Sequence, residues 1–397
     1  MQTILTAKQR INSIDLLRGI VMVIMALDHV RDFFHIHGMD GDPTNLATTS
    51  PALFFTRFIT HYCAPVFVFL SGTSIFLQSQ RKTKKELAIF LLTRGLWLML
   101  IEVVVINFLF SFNPFYNGIA VQVIWVIGVS MVLMSVLIFL PFKIIFVIGL
   151  IMVLGHNFLD RYNFNSNQSI PLGWSILHQP SFKMYAPQHF IIVLYPLIPW
   201  PGVMMLGYCM GKLFTKDYDA VKRKKQLLYF GIIAIAVFAV LRYTNVYGDP
   251  ALWSEQNRGT VYSIISFFNV TKYPPSLLYL CITLGPALIT LTLIENIQSK
   301  FVDAVTVYGR VPMFYYLCHF FLIHLLCVIF FYASGHHNNE ITDPNLTSPF
   351  LFRLQHWGYP LWVVYIIWIG VVALLYPFCK KYSEYKATHK KWWLSYL

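Results

Sequence analysis

About ten stretches of roughly 20 mostly apolar residues recur along this chain, and they constrain its fold more than any other feature. They cover roughly residues 13–36, 52–79, 87–110, 117–139, 142–160, 187–213, 225–242, 273–294, 303–331 and 358–380. A helix rises about 1.5 Å per residue, so each stretch is long enough to approach or cross a hydrocarbon core of ~30 Å. Hydrophobic residues make up 57% of the 397 and charged residues 12%, with a mean hydropathy of +0.60. A soluble domain of this length cannot bury that much apolar surface. The expected class is therefore all-α: a polytopic membrane protein with about ten transmembrane helices, forming a single domain over 1–397. The first stretch is too long and too charged at its far end for a cleaved signal peptide, and no solenoid repeat is present.

A net charge of +13 raises the question of nucleic acid, but the distribution of the charge answers it. The basic clusters are Lys8/Arg10, Arg81/Lys82/Lys84/Lys85, then Lys212, Lys216 and Lys222–Lys225, and finally Lys380/Lys381/Lys386/Lys390/Lys391. Each falls on the side shared by both termini, whereas the alternate loops are longer and poorer in Lys and Arg. This is the positive-inside pattern of a protein with both termini cytoplasmic. It argues for a lipid bilayer as partner and against nucleic acid, and leaves open a part in holding a polyanionic cofactor. The six cysteines, Cys63, Cys209, Cys281, Cys318, Cys327 and Cys379, lie in or at the ends of apolar segments and read as core residues. No metal-ligand spacing stands out, and no metal is expected. Sequons at Asn167, Asn269 and Asn345 fall in loops placed outside.

Ionisable groups at bilayer depth are costly, so each marks a candidate site. The segment "SIDLLRGIVMVIMALDHVRDFFH" carries Arg18 near its start and Asp28, His29, Arg31, Asp32 and His35 near its end. Arg18 and His29 share a helical face roughly 16 Å apart. Asp28 adjoins His29, and His29 with Asp32 is an i, i+3 pair, so either carboxylate can orient the imidazole as a base. The competing interpretation is an interfacial cluster in which Asp28 pairs with Arg31. In the second segment His61 precedes Pro65 and a small polar patch, Ser71, Gly72, Thr73 and Ser74. That patch suits either close helix packing or passage of a narrow ligand. Arg94 opens the third segment, with Glu102 about 12 Å deeper. The eighth begins with Tyr273 and two prolines. The ninth, "YGRVPMFYYLCHFFLIHLL", holds Arg310, Tyr316, His319 and His324, with Arg310 and His324 on one face about 21 Å apart. Arginines gather at the cytoplasmic ends and histidines toward the outer half. The combination points to an anion-binding mouth inside and proton-transfer chemistry outside.

The motifs "RINSIDLLRGIVMVIMALDHVRDFF", "VFVFLSGTSIFL", "WVIGVSMV", "PWPGVMMLGYCMG", "KYPPSLLYLCITLGPAL" and "YGRVPMFYYLCHFFLIHLL" together resemble a bacterial branch of the heparan-α-glucosaminide N-acetyltransferase catalytic-domain family. The resemblance implies a transmembrane acyltransferase in a bacterial cytoplasmic membrane. Such an enzyme takes acetyl-CoA from the cytoplasm and passes the acetyl group to an amino sugar or other glycan acceptor outside. A homodimer is compatible with it. The family's catalytic histidine lies at or just after the end of the first core helix, where this chain offers His29, His35 and His37. His29 is preferred because it is helical, adjoins Asp28 and is in phase with Arg18.

The expected mechanism is direct transfer. Arg18, Arg94 and Arg310 hold the CoA phosphates, and the pantetheine arm passes Ser71, Gly72 and Ser74. His29, oriented by Asp28 or Asp32, takes the acceptor's proton, and His319, His324 or Tyr316 donates to the oxyanion. His61, Tyr273 and Tyr316 line the acceptor side. The rival is a proton-coupled small-molecule transporter, which intramembrane Asp/His sets also mark, although no two-fold repeat supports it. The topology predicts that a lone cysteine at position 84 is shielded from an impermeant thiol reagent applied outside. Labelling from outside would overturn it.

Overall fold

The computed structural model describes residues 12–38, 41–165, 168–341 and 350–396. The Lys8/Arg10 cluster and the sequons at Asn167 and Asn345 lie outside the described residues. Helix α1 (Asn12–Phe34) is followed by α2 (Pro51–Thr60) and α3 (Cys63–Ser79), which together form one kinked rod. Then come α4 (Lys84–Ile101), a π-helical turn over Glu102–Ile106, and α5 (Asn107–Ser111). Strand β1 (Gly118–Val121) leads into α6 (Val123–Leu137), α7 (Phe142–Gly155) and α8 (Leu172–Leu177). Strands β2 (Ser181–Ala186) and β3 (His189–Val193) precede α9 (Trp200–Met210) and α10 (Ala220–Thr244). The chain ends with α11 (Thr260–Phe268), α12 (Leu277–Ile294), α13 (Lys300–Arg310), α14 (Pro312–Ala333) and α15 (Leu361–Thr388). Polar caps set several starts. Ser50 accepts from Leu53 N, Ser276 from Tyr279 N, and Thr83 forms a capping box with Glu86.

The fold is a helical membrane bundle. Among the described residues, seven helices are long and apolar enough to cross a bilayer: Pro51–Ser79, Lys84–Ser111, Phe142–Tyr162, Ala220–Thr244, Leu277–Ile294, Pro312–Ala333 and Leu361–Thr388. Helix α1 has 23 residues but carries five charged side chains between Asp15 and Asp32, while α6 and α9 are shorter, at 15 and 11 residues. Two of the expected spans start as strands instead. The runs "GIAV" and "HFIIV" pair in parallel, Gly118 opposite Phe190 through Val121 opposite Val193. With β2 antiparallel to β3 they make a three-stranded sheet in the order β1-β3-β2. The span expected over 303–331 is broken. Val311 leaves helical geometry at φ −131°, ψ 51°, and Pro312 opens α14. Proline disfavours a helical residue before it, so α13 and α14 are separate helices, and no single helical face joins Arg310 to His324.

Helix α1 is the hub, packing against α2, α3, α12, α13, α14 and α15. The closest approaches occur at glycines facing each other. A Cβ on Gly309 would overlap Asp15 O and one on Gly19 would overlap Val305 O, which seats α13 directly on α1. Gly72 and Gly207 do the same for α3 and α9, against Met204 O and Phe69 O. Close backbone approach lets van der Waals packing replace the hydrophobic drive that lipid cannot supply. We expect Gly72→Val or Gly207→Val to lower stability in detergent by more than the about 1–3 kcal/mol of ordinary overpacking. Gly155→Ala, whose Cβ meets open space, should be near neutral. Thermal unfolding of the purified variants checks this, and an unchanged Gly207→Val would disprove the seating.

Candidate functional site

Two chambers lie at opposite ends of α1. The first, about 920 Å³, occupies the end bearing Arg81 and the 214–223 segment. Arg18, Arg81, Lys216, Arg223 and Arg310 line it, against Asp15 and Asp217. Among the described residues, five cations facing two carboxylates make it an anion-attracting mouth. Arg18 reaches across helices: it pairs with Asp15 Oδ1 at 3.0 Å and donates to Gly309 O at 3.3 Å and to Ser74 Oγ at 3.1 Å. The Gly19–Gly309 seating brings that carbonyl within reach. Arg223 pairs with Glu295.

The second chamber, about 950 Å³, lies at the other end of α1. It is lined by Asp28, His29, Arg31, Asp32, Arg57, His61, Lys272, Tyr273 and Tyr316, among others. The carboxylate expected to orient His29 is engaged elsewhere. Asp28 Oδ1 accepts from Arg57 Nη1 at 2.8 Å and Thr60 Oγ1 at 2.9 Å, and pairs with Arg31 Nη2 at 3.0 Å. Its Oδ2 accepts from Arg57 at 2.5 Å, with Lys272 Nζ at 3.9 Å. Asp32 pairs with Arg31. A guanidinium is a stronger partner for a buried carboxylate than a neutral imidazole, so the cations take both acids.

The partner of His29 is instead His319. His29 Nδ1 lies 2.6 Å from His319 Nε2, and His319 Nδ1 lies 3.1 Å from Tyr315 O. A carbonyl can only accept, so His319 carries its proton on Nδ1 and accepts on Nε2. His29 must then donate from Nδ1, which leaves Nε2 as its lone-pair nitrogen. Phe320 stacks on the His29 ring at 4.2 Å and holds its plane.

The other expected residues divide clearly. His61, Tyr273 and Tyr316 line the second chamber together with His29. Tyr279 donates to His61 O at 2.9 Å, and Tyr273 stands edge-on to Tyr195. His324 lies away from both chambers. Its Nδ1 and Nε2 lie 3.1 and 2.9 Å from the carbonyls of Leu109 and Leu351, and its ring stacks on Phe112 at 3.8 Å. It ties α5 to the 350–353 segment and is not positioned to donate to a reacting group in the chamber. Arg18, Arg310 and Ser74 line the first chamber, whereas Arg94 lines neither. Gly72 is spent on packing against α9. Phe67, Ser71, Ser74 and Gln78 follow one face of α3 at steps of four, three and four residues, and run from the second chamber to the first. His35 is buried beside Tyr359 and His37 is exposed, and neither lines the chamber.

The chain alone did not single out Arg57, Lys272, Arg81, Lys216 or Arg223 as site residues. The only signal for the first two was a basic residue at the end of an apolar span, beside a loop poor in Lys and Arg.

Residues 10–240 match the family model described as heparan-alpha-glucosaminide N-acetyltransferase, catalytic. That region holds Arg18, Asp28, His29 and Arg57, whereas Lys272, Tyr273, Tyr316 and His319 lie beyond it. No curated protein matches the chain.

Breaking a buried ion pair by removing one partner typically costs 3–5 kcal/mol, because the other charge is stranded. Arg57→Met should therefore lower stability markedly, and adding Asp28→Asn to it should restore part of the loss. A double-mutant cycle on thermal unfolding reads this, and purely additive effects would mean that the pair is not coupled.

Proposed function

The chain belongs to the heparan-α-glucosaminide N-acetyltransferase catalytic family, and on that premise we propose that it moves an acetyl group from cytoplasmic acetyl-CoA to an amino sugar or other glycan acceptor on the far side of the membrane. The observation that carries this reading is the pairing of two chambers along α1, one cation-rich and one holding a base-competent histidine. The cation-rich end is the cytoplasmic one, in keeping with the positive-inside charge distribution.

In this reading the CoA phosphates lie among Arg18, Arg310, Arg81, Lys216 and Arg223, where guanidinium forks suit phosphate oxygens. The pantetheine arm follows the α3 stripe past Ser74 and Ser71. Along α1, Arg18 and His29 are roughly 16 Å apart, so the thioester is delivered to the second chamber. The aromatic rings of Tyr195, Tyr273 and Tyr316 give an acceptor sugar apolar faces to pack against.

The chemistry follows from the tautomer. The acceptor nitrogen or oxygen attacks the thioester carbonyl while His29 Nε2 takes its proton. The resulting imidazolium is held through Nδ1–H by His319 Nε2. As the tetrahedral intermediate collapses, the C–S bond breaks. The proton from His29 goes to the departing thiolate, so CoA leaves as the free thiol. His319 is the positioning residue: it fixes which nitrogen of His29 is the base. Tyr316, on the same chamber wall, is the donor we assign to the oxyanion. Family membership favours this chemistry over proton-coupled transport.

A general base contributes typically 10²–10⁴-fold to rate. His29→Ala should lose acetyl transfer to amino sugars by about that factor while still binding acetyl-CoA. His319→Ala should lose less, because it frees the tautomer without removing the base. Arg18→Gln and Arg310→Gln should instead weaken acetyl-CoA binding, and that binding should fall with salt as surface charges are screened. Calorimetry and a radiolabelled-acetyl assay separate the two groups. Near-normal turnover in His29→Ala, or no acetyl-CoA binding at any salt, would defeat the reading.

A further inference from the structure

The loop between α1 and α2 forms one side of the second chamber, where Asp42, Pro43, Thr44, Asn45 and Leu46 line it. The loop is closed on itself. Asp42 Oδ1 accepts from Thr44 N and Oγ1 at 2.8 and 2.7 Å, Asn45 Oδ1 accepts from Ala47 N at 3.0 Å, and Thr49 Oγ1 donates to Pro43 O at 2.7 Å. Local bonds of this kind hold a short loop in one shape whatever it rests against.

The loop is fastened to the α11 side by a different kind of bond. Arg258, just before α11, donates from Nη1 to Leu46 O and, at 3.4 Å, to Thr49 O. Tyr262 braces that guanidinium: Arg258 Nη2 donates to its hydroxyl at 2.8 Å, and the guanidinium carbon lies 3.8 Å from the ring centroid. Asn269, which the sequence offers as a sequon, uses its side-chain nitrogen to donate to Thr44 O at 2.9 Å. Each of these bonds ends on a carbonyl of the loop. The side that supplies the donors is itself fixed. Arg242, which is buried, donates to the carbonyls of Phe267, Ser266 and Asn269 at 2.9, 2.8 and 2.6 Å, and so ties the end of α11 to α10.

The loop buries little that would keep it down. Of residues 42–49 only Thr49 is buried; Pro43 and Leu46 are half-buried and Ala47 is exposed. Segments with few buried apolar contacts and exposed hydrogen bonds open at low free-energy cost. We propose that residues 42–49 are a lid on the second chamber, latched by Arg258 and Asn269, which opens as a unit to admit the acceptor and closes to keep water from the thioester. The inference rests on the second chamber being the acceptor site of an acyltransferase, and adds the gate to it. Exclusion of water is the function a lid serves in acyl transfer. With the lid open, the oxygen of water bonds to the acetyl carbonyl carbon and the C–S bond breaks. One water proton goes to the departing thiolate and the other to solvent, so acetate and free CoA are formed without transfer.

The test compares hydrolysis with transfer and reads lid motion separately. Purified full-length protein is given acetyl-CoA with and without glucosamine, and acetate and acetylated sugar are both counted. Losing charge-assisted bonds to two carbonyls should raise the open population about ten- to a hundredfold. Arg258→Ala should therefore raise the ratio of hydrolysis to transfer by up to that factor, and Asn269→Ala by less. An unchanged ratio in Arg258→Ala would overturn the latch. In a protein without its six native cysteines, Ala47→Cys with Arg258→Cys lacks the latch until a bis-methanethiosulfonate bridges the two thiols. Bridging should suppress transfer at least about tenfold, leave acetyl-CoA binding intact, and be reversed by reductant. Equal transfer in the bridged and reduced protein would mean that the loop need not move, and would also overturn the proposal. A nitroxide on a lone cysteine at position 47 reports motion without chemistry, and Arg258→Ala should sharpen its spectrum. If the spectrum sharpens but no form of the protein transfers or hydrolyses acetyl groups, the latch stands and the acyltransferase reading falls. If transfer proceeds while neither the spectrum nor the ratio responds to Arg258→Ala, the reading stands and the lid falls.

Discussion

The Asp28 carboxylate is the charge around which the second chamber is organised. A carboxylate taken out of water is tolerated only with strong, well-placed donors. Asp28 obtains them from its own helix (Arg31) and from α2 (Arg57 and Thr60), with the Lys272 ammonium 3.9 Å away on the turn before α12. Satisfying this one group therefore gathers three separate segments into the chamber wall. Tyr273 follows Lys272 into place, and His61 follows α2. The interaction network is costly to assemble and is worth more for the geometry it specifies than for net stability.

Because the cations take Asp28, His29 is left to a neutral partner. A carboxylate beside a base histidine stabilises the imidazolium directly. An imidazole beside it does something different. It fixes the tautomer through a hydrogen bond, and under the proposed function it holds the Nδ1–H of the imidazolium. The Tyr315 carbonyl sets the direction of the whole relay, since it can accept from His319 but cannot return a proton. A single backbone oxygen on α14 thus decides which nitrogen of a side chain on α1 carries the lone pair.

The bundle was legible in the sequence because spanning length and loop charge are local properties. The strands were not, since apolar runs such as "GIAV" and "HFIIV" read equally well as the start of a buried helix. Their pairing is a long-range choice: residues 118–121 against 190–193. The break between α13 and α14 had a local signal in Pro312, which a continuous apolar pattern outweighed. The site divides in the same way. His29, His61, Tyr273 and Tyr316 stood out as polar groups in apolar segments, and the structure brings them together in one chamber. The partners that define their chemistry did not stand out. Asp28 precedes His29 in sequence but turns to Arg57, 29 positions away, and His319 reaches His29 from 290 positions away. Arg57 and Lys272 sit at segment ends, where a long basic side chain ordinarily reaches for water and needs no further account.

Under the proposed function, the acyl arm has to pass between chambers that share no lining residue. Separating α3 from α9 to make room would undo the Gly72–Gly207 seating and the bond from Thr73 Oγ1 to Gly207 O at 3.0 Å. Separating α1 from α13 would undo the Gly19–Gly309 seating in the same way. Both helices that border the path are thus fixed by backbone-to-backbone contact on their far sides. What remains adjustable is the side chains between them: Met25 and Arg18 on α1, Phe67, Ser71 and Ser74 on α3. The Arg18–Ser74 bond ties the two helices together on this stripe, and a hydroxyl is a weaker partner for a guanidinium than a phosphate is. The rigid contacts therefore confine any opening to side-chain rotation at the boundary where the donor's charged group and its acyl arm meet the same arginine.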